Sequence, residues 1–167
     1  MSNKSFVQAT MQLPCSVTIL TAHADNIQGA MTASSMYVSQ VPPLHAVSVS
    51  KTFATYHLIE KSKEFAINLI ADSQQDLAGK FGSIHGYEID KFKEFGVKTE
   101  TANIIKAPLI IGCFANIECR VKSSLWDVEG NHAIYIAEVV GFKMNDKLNP
   151  MVWLNNKYFK VGNECKL

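Results

Sequence analysis

The order of short alternating segments limits the folds that this chain can adopt. Apolar and polar side chains alternate over residues 16–21, 64–70, 112–121 and 132–142, which is the pattern of half-buried β-strands. The connections are turns or short amphipathic stretches, without a βαβ rhythm and without a GxGxxG motif, so a Rossmann domain is disfavoured. About six strands at this spacing predict an antiparallel sheet in a small closed barrel or a sandwich.

Signals for turns and helix ends divide the connections. The predicted elements are a hairpin turn over residues 24–29, helices over 55–61 and 73–81, a helical piece over 89–95 and a last edge strand over 157–161. Thr55 has the position of an N-cap for the first helix. Asp72 is predicted to cap the second helix, with Gln75 completing a capping box and Gly82 ending the helix.

The composition is that of a folded chain without a strong charge. The 167 residues contain 16 Lys and Arg and 15 Asp and Glu, so the formal net charge is +1. Such a chain has no bulk field that would attract nucleic acid or an anionic membrane. Its start has no apolar stretch after the lysine, and no apolar run approaches the ~20 residues that cross a bilayer. We expect a single cytoplasmic domain over residues 1–167, without nucleic-acid or membrane partners.

Cysteine and histidine spacing gives no metal or redox motif. The four cysteines, at positions 15, 113, 119 and 165, include no CxxC pair. Cys113 and Cys119 fall on one face of the predicted strand 112–121, about 20 Å apart and too far to form a disulfide. We interpret them as core residues or inert thiols. The five histidines have no HxH or HxxxH spacing, so no metal site is predicted.

Two clusters of small and hydroxyl residues stand at the ends of predicted strands. The first is GAMTASS at 29–35, and the second contains Ser50, Thr52 and Thr55 with Lys51 among them. Small side chains allow a flat ring to approach the backbone, while hydroxyls, free N–H groups and a lysine suit a phosphate. The clusters therefore form a plausible cradle for a phosphorylated flat ligand. Alternatively, Ser and Thr are simply common at strand edges and turns.

Together with their surroundings, the clusters resemble the flavin reductase-like family of FMN-binding split barrels. The matching segments are GxMTASS at 29–35, PPL at 42–44, SKxxxT at 50–55, FAINL at 65–69, DLAGKF at 76–81 and GNHAIYIAEV at 130–139. The resemblance runs from about residue 11 to residue 162. It lies in the order and spacing of these segments rather than in any one of them.

The resemblance implies a mainly β fold, namely a six-stranded antiparallel split β-barrel with Greek-key connections and short peripheral helices. In this family FMN lies across the barrel at a dimer interface, so a homodimer is expected. The isoalloxazine is expected against Met31, Thr32, Ala33, Ser34 and Ser35, whose backbone N–H groups would face N5 and the pyrimidine edge. Ser48, on the strand before the second cluster, is also among the expected FMN contacts.

The resemblance also implies a phosphate site. It assigns the FMN phosphate to Ser50, Lys51 and Thr55, where a strand end meets a helix N-terminus with its orphan N–H groups. Phe53 departs from the family pattern, in which a serine is common, so one hydroxyl contact is in doubt. Phe81 is expected to close over the flavin, unless it packs in the core. The segment 90–92 resembles one that lies near the cofactor in relatives.

His132 is the predicted contact for the hydride donor. It stands in GNH, which resembles a GxH segment whose histidine looks toward the nicotinamide side of the flavin in relatives. A neutral imidazole can donate a hydrogen bond to a carboxamide or phosphate there. The alternative is a turn histidine that bonds to its own backbone. Trp126 and Trp153 are predicted to be core or interface aromatics. The edge at 157–160 is predicted to be solvated, although relatives often keep a tyrosine near the site there.

The implied function is that of an NAD(P)H-dependent flavin oxidoreductase using FMN. A hydride passes from the nicotinamide to flavin N5, and the electrons go to a partner such as a flavin-dependent monooxygenase or to another acceptor. One alternative is an electron carrier that holds FMN tightly, like flavoredoxin or a ferric reductase. A second alternative is a flavin-binding protein without turnover. No 2′-phosphate motif is recognisable, so NADH and NADPH remain alternatives, as do FMN and FAD.

Overall fold

The computed structural model describes residues 3–84, 89–126 and 129–162. The strands are β1 (Cys15–Ser16), β2 (Thr18–Ala24), β3 (Ile27–Ala33), β4 (Ser35–Ser39), β5 (Leu44–Ser50), β6 (Glu64–Leu69), β7 (Thr99–Glu100), β8 (Leu109–Ile110), β9 (Ala115–Leu125), β10 (His132–Met144), β11 (Met151–Leu154) and β12 (Lys157–Lys160). The helices are α1 (Asn3–Thr10), α2 (Ala54–Ser62), α3 (Gln75–Ser83) and α4 (Lys91–Glu94), with a 3-10 turn at Asp72–Gln74. None of these described helices has the length and apolar character that a membrane crossing requires.

Seven strands form one antiparallel sheet in the order β3-β2-β6-β9-β10-β5-β4. Its two edge strands, β3 and β4, are neighbours in the chain and are separated only by Ser34, so the sheet curls until its edges adjoin there. Buried side chains such as Leu20, Phe65 and Tyr135 form the main core. The mainly β antiparallel class is confirmed. The sheet has seven strands rather than six because the extended stretch 30–40 divides at Ser34.

Further elements pack around β3, the strand that carries the first hydroxyl cluster. Helix α3 packs against β3, and α2 packs against β2 and β3. A second apolar cluster, which includes Ile19, Phe81 and Phe92, joins α3 and α4 to this side of the sheet. Strands β1, β11 and β12 form a separate three-stranded sheet, in which Cys15 is paired with Trp153. Strand β3 is therefore covered by helices and flanked by a small sheet.

Two hairpins are closed by pairs of residues with positive φ. Asp25 and Asn26 have φ of 49° and 62°, and Asn155 and Asn156 have φ of 49° and 59°. Two successive positive φ values fit the two-residue turns that match the twist of paired strands. The first turn is shorter than the predicted 24–29, because β3 already begins at Ile27. The second hairpin, β11–β12, replaces the single predicted edge strand, since Asn-Asn is a weaker hairpin signal than Asn-Gly.

The predicted helix starts are displaced. Helix α2 begins at Ala54 with Phe53 at the cap position, so the prediction that Thr55 is the N-cap is wrong. The chain turns earlier than predicted, because the Phe53 N–H donates to the Ser50 carbonyl at 3.2 Å. Thr55 is instead buried in the first turn of the helix, 1% exposed.

The second helix also departs from its predicted ends. A 3-10 turn precedes α3, and the Ala71 N–H donates to Gln74 Oε1 at 3.3 Å, so Gln74 rather than Gln75 makes the returning bond. Helix α3 continues through Gly82 to Ser83. The predicted glycine stop is therefore wrong, because Gly82 remains within helical backbone.

The two buried cysteines do not share a face. Strand β9 begins at Ala115, and Cys113 lies before it in a turn where Gly112 has a φ of 84°. Cys119 belongs to the main core and Cys113 to the second apolar cluster. Burial raises the pKa of each thiol to about 12, so both remain protonated near neutral pH, as inert thiols do.

One buried carboxylate anchors the loop that precedes β8. Glu118 on β9 is 1% exposed. Its Oε1 accepts from the N–H of Asn103 at 3.1 Å, and its Oε2 accepts from those of Ile104 at 2.7 Å and Ile105 at 3.1 Å. Gly141 leaves room for this arrangement, because a Cβ there would lie 3.1 Å from the carboxylate. Glu118 thus holds the loop over a third apolar cluster.

Candidate flavin site

The first hydroxyl cluster borders a cavity where the two sheet edges meet. Ser34, Ser35 and Ser48 line this cavity, which has a volume of about 510 Å³ and is called the ring cavity below. Ser48 reaches it because it pairs with Ile134 across β5 and β10, on the face opposite the core residue Val49. The structure thus brings three of the predicted FMN contacts to one surface.

A second cavity, of about 260 Å³, adjoins the ring cavity and is called the aromatic cavity below. Thr32, Ala33 and Ser34 line one side of it, and Trp153 and Tyr158 line the other. Trp153 and Tyr158 are paired directly across β11 and β12, so their side chains lie on one face of the hairpin. Ser34 belongs to both cavities. Trp153, predicted to be a core or interface aromatic, packs against the second apolar cluster and also lines this cavity.

Two of the predicted FMN contacts have side chains buried away from these cavities. Met31 lies in the main core, and Phe81 is 0% exposed in the second apolar cluster. The Phe81 ring packs against Phe92 and Phe95 at centroid distances of 5.8 and 5.3 Å. An enclosed ring has no free face, so the structure places Phe81 in the core rather than over a ligand. Met31 can offer a ligand only its backbone.

The second hydroxyl cluster forms a tight turn between β5 and α2. Ser50 Oγ and Thr52 Oγ1 lie 2.9 Å apart, and the Lys51 N–H donates to the Asn131 carbonyl at 2.8 Å. His132 lies opposite Ser50 in the pairing of β10 with β5, beside this second cluster. Its Nδ1 is 2.7 Å from Asn131 Oδ1, so the imidazole is bonded to a neighbouring side chain rather than to its own backbone.

Lys91 carries a buried positive charge next to the start of α2. It is 7% exposed, and its Nζ donates to the carbonyls of Ala30 at 2.9 Å and Phe81 at 3.3 Å. The same Nζ stands 5.3 Å from the centre of the Phe53 ring, at the cap position of α2. Lys91 and Thr55 both line a narrow cavity of about 20 Å³, which is room for about one water.

Lys91 has no partner of opposite charge among the described residues. Burial lowers the pKa of Lys91 to about 8, because the ammonium is removed from water. Within the described residues, no carboxylate forms an ion pair with it. The N-terminus of α2 adds a partial positive charge beside it, since the dipole of a helix is positive at that end. An anionic group placed at this point would neutralise both charges.

Lys91 and Tyr158 are residues that the sequence analysis does not place among the site contacts. For Lys91, the available signal is the segment 90–92, in which Asp90 Oδ1 accepts from the N–H groups of Phe92 at 3.0 Å and Lys93 at 3.2 Å. This N-cap fixes the first turn of α4, from which Lys91 points inward. For Tyr158, the signal is the tyrosine that relatives often keep at this edge.

Comparison with known proteins identifies the family. The model of the flavin reductase-like domain matches residues 10–162. The reductase component of 4-nitrophenol 4-monooxygenase/4-nitrocatechol 2-monooxygenase from Rhodococcus opacus is 30% identical over 125 residues, which are 74% of this chain and 63% of that protein. FMN reductase (NADH) RutF from Pseudomonas syringae is 22% identical over 164 residues, which are 98% of this chain and 89% of that protein.

Solved structures agree with this assignment. Flavin reductase PheA2 superposes with a TM-score of 0.82 at 26% identity, covering 98% of this chain and 100% of that one. The NADH:FAD oxidoreductase SgcE6 from Streptomyces globisporus C-1027 has the same fold, with a TM-score of 0.86 at 22% identity and coverage of 97% and 95%. The family match spans both hydroxyl clusters, Lys91 and the β11–β12 hairpin, and the chain belongs to the flavin reductase-like family.

Proposed function

We propose that this chain reduces flavin with electrons from NADH or NADPH, and that FMN is the flavin it binds. The observation that carries the proposal is the positive charge at the start of α2, where Lys91 lies beside the helix N-terminus without a carboxylate partner among the described residues. Two positive charges at one place are unfavourable until an anion joins them. The phosphate of FMN supplies such an anion from outside the narrow cavity that Lys91 lines, since that cavity admits only about one water.

The residues around this charge suit a phosphate. Ser50 and Thr52 present hydroxyls on the turn before α2, and Thr55 lies in the first turn of the helix. The Lys51 ammonium donates to the Trp126 carbonyl, an exposed bond that a phosphate oxygen can replace. Charge-assisted hydrogen bonds to a phosphate are the stronger ones, so the exchange is favourable.

The flavin ring is proposed to lie along the backbone of residues 31–35 and into the ring cavity. When bound, FMN supplies the redox chemistry by accepting a hydride at N5 from C4 of the nicotinamide. The chain itself binds and orients the two rings. Ser34, Ser35 and Ser48 would form hydrogen bonds with the polar edge of the flavin ring. Met36 and Ile134 would exclude water from its apolar edge. His132, beside the second hydroxyl cluster, is proposed to contact the nicotinamide nucleotide.

Association with other chains is also part of the proposal. Met36, Tyr37, Leu125 and Phe142 are exposed apolar side chains on β4, β9 and β10. Covering such a surface with a second copy removes apolar area from water, so we propose a homodimer of split barrels, each one cytoplasmic domain. Since several relatives are named reductase components of monooxygenases, a flavin-dependent monooxygenase is the proposed recipient of the electrons. Light scattering at micromolar concentration tests the dimer, and a monomer mass with FMN bound would contradict it.

A spectroscopic experiment tests the function itself. The purified protein is loaded with FMN, and NADH or NADPH is added without oxygen. We expect the flavin absorption band to bleach, with one nicotinamide oxidised for each flavin reduced. Slow bleaching with either nucleotide, together with fast oxidation of the reduced flavin by a protein or iron acceptor, would favour the electron-carrier alternative. Binding of FMN without bleaching by any donor would favour the non-catalytic alternative.

A further inference from the structure

The aromatic cavity continues into a second open space. Tyr158 lines the aromatic cavity on one side, and on the other it lines a groove of about 450 Å³ with Ser73, Gln75, Asp76 and Gly79. We call this space the acidic groove, because its charged side chain is that of Asp76. The ring cavity, the aromatic cavity and the acidic groove therefore follow one another, joined at Ser34 and at Tyr158.

The wall between the two spaces is fixed in place. Lys160 on β12 forms an ion pair with Asp72 at 3.0 Å, and the Asp72 N–H donates to the Asn149 carbonyl at 2.9 Å. These bonds hold the hairpin that carries Tyr158 against the 3-10 turn that leads into α3. The groove is thus a feature of the fold rather than of one side-chain position.

We propose that the aromatic cavity and the acidic groove together hold the hydride donor, and that Asp76 makes the chain select NADH over NADPH. The nicotinamide would lie between Trp153, Tyr158 and the flavin segment, and the adenosine ribose would lie beside Asp76. This inference rests on the proposed function, because it places the donor next to the ring cavity. It adds a nucleotide preference and the residue that sets it.

The chemistry of the groove favours a ribose diol over a phosphate. A carboxylate accepts hydrogen bonds from the 2′- and 3′-hydroxyls of a ribose, whereas a 2′-phosphate would meet a like charge. The hydrogen bond from Lys80 holds the pKa of Asp76 below its usual range, so this carboxylate is ionised at neutral pH. The Asp76–Lys80 pair is 2.7 Å long and exposed, and such pairs rearrange at little energetic cost.

Gly79 provides a steric probe of the same groove. A Cβ built at Gly79 meets no other atom within 4 Å, so a larger side chain there enters the groove and not the core. Gly79 lies inside helix α3, where a residue other than glycine is also better suited to helical backbone. Substitution of Gly79 can therefore fill the groove without unfolding the chain.

The experiment compares the rates at which the FMN-loaded protein oxidises NADH and NADPH, before and after substitution of residues that line the acidic groove. Steady-state kcat/KM for NADH and NADPH is measured for the wild type, Asp76→Asn, Gly79→Phe and Gly79→Ala. Asp25→Asn is the matched control, because Asp25 is also exposed and paired with a lysine, Lys61, but lines a different cavity. Binding of NAD⁺ and NADP⁺ by calorimetry, and FMN affinity by titration, are measured for every variant.

We expect the wild type to prefer NADH by roughly tenfold or more, which is about 1.4 kcal/mol of discrimination. Asp76→Asn should lower that preference at least about fivefold, and Asp25→Asn should leave it unchanged. Gly79→Phe should raise the KM for NADH and weaken NAD⁺ binding, more than Gly79→Ala does, while FMN affinity stays the same. An unchanged NADH to NADPH ratio in Asp76→Asn, or unchanged NAD⁺ binding in Gly79→Phe, would overturn the inference.

The binding measurements separate this inference from the proposed function. If NAD⁺ binds in a manner that depends on Asp76 and Gly79 but NADH does not bleach the flavin, the groove is correct and the reductase function is not. If NADH bleaches the flavin and the groove variants behave as the wild type, the function is correct and the groove is wrong. If NAD⁺ does not bind and NADH does not bleach the flavin, both the groove and the reductase function are wrong.

Discussion

Glu118 and Lys91 are both buried charged residues, yet their surroundings differ. The Glu118 carboxylate accepts three backbone N–H groups from consecutive residues of one loop. The Lys91 ammonium donates to two carbonyls and faces an aromatic ring, with no ion-pairing carboxylate among the described residues. The first charge is satisfied by the chain itself. The second is bonded only to neutral groups among the described residues, and it lies beside the positive end of the α2 helix dipole.

This difference separates a structural charge from a binding charge. Burying a charge is unfavourable unless hydrogen bonds or an opposite charge compensate for it. At Glu118 the compensation is complete in the folded chain, so the carboxylate stabilises the loop. At Lys91 the described residues supply two carbonyl acceptors but no opposite charge, and an anionic ligand can supply that charge. Stability is therefore expected to depend on Glu118 and flavin affinity on Lys91.

The largest expected effect is on stability, from Glu118→Ala. This change removes the acceptor of three backbone N–H groups, of which that of Ile105 is buried, and we expect a loss of about 3–5 kcal/mol in the free energy of unfolding. Urea unfolding followed by circular dichroism measures it. FMN affinity, measured below the unfolding transition, should remain close to that of the wild type. Weak FMN binding by folded Glu118→Ala would contradict the division between the two charges.

Lys91→Met should show the opposite behaviour. It removes the ammonium but keeps the length of the side chain, so we expect FMN to bind roughly tenfold to a hundredfold more weakly, about 1.4–3 kcal/mol. The stability of the flavin-free protein should be equal to or above that of the wild type, since a buried charge is gone. Lys93→Met, on the exposed side of the same helix, is the control and should keep wild-type affinity. Equal affinities of the two variants would remove Lys91 from the site.

The pH dependence of FMN binding should follow the titration of Lys91. Its pKa in the folded, flavin-free chain is about 8, below the ordinary value of 10.5. Above pH 8 the proton must be taken up again when the phosphate binds, so FMN affinity should fall roughly tenfold by pH 9. Lys91→Arg keeps its charge and should bind FMN with little change over this range. A wild-type profile as flat as that of Lys91→Arg would be evidence against the assignment.

The titration of Lys91 should change stability with pH in the direction opposite to its effect on FMN affinity. The pKa of Lys91 is lower in the folded state than in the unfolded state, so between pH 8 and 10.5 the unfolded state binds more protons. The contribution of Lys91 to the stability of the flavin-free protein should therefore rise with pH in this window, while FMN affinity falls. The difference between wild type and Lys91→Met, measured by thermal unfolding, isolates this contribution.

The two charges also show how far sequence reasoning reaches. Alternation, turn residues and the GAMTASS and SKxxxT segments predict the antiparallel class and the family, because they are local patterns. Glu118 gives no local signal, since its partners lie 13 to 15 residues away in a loop. The burial of Lys91 depends on contacts with Ala30, 61 residues away, which no spacing rule reveals. The prediction that Thr55 is an N-cap fails because a local turn, closed by the bond from the Phe53 N–H to the Ser50 carbonyl, starts the helix earlier.

His132 extends the comparison to an exposed residue, where the expected effect is smallest. Its imidazole lies opposite Ser50 and is bonded to Asn131 Oδ1, so its removal exposes no buried group and should leave stability unchanged. If His132 contacts the nicotinamide nucleotide, His132→Ala should keep FMN affinity and lower kcat/KM for NADH about threefold to tenfold, the effect of one hydrogen bond. His132→Gln retains a donor and should recover part of the loss. Asn131→Ala removes the bond that orients the His132 imidazole but keeps the imidazole itself. It therefore separates the effect of orientation from that of contact with the nucleotide. Full activity in His132→Ala would make the Asn131–His132 bond a property of the turn alone, and the groove beside Tyr158 would then hold the nucleotide without help from this side of the sheet.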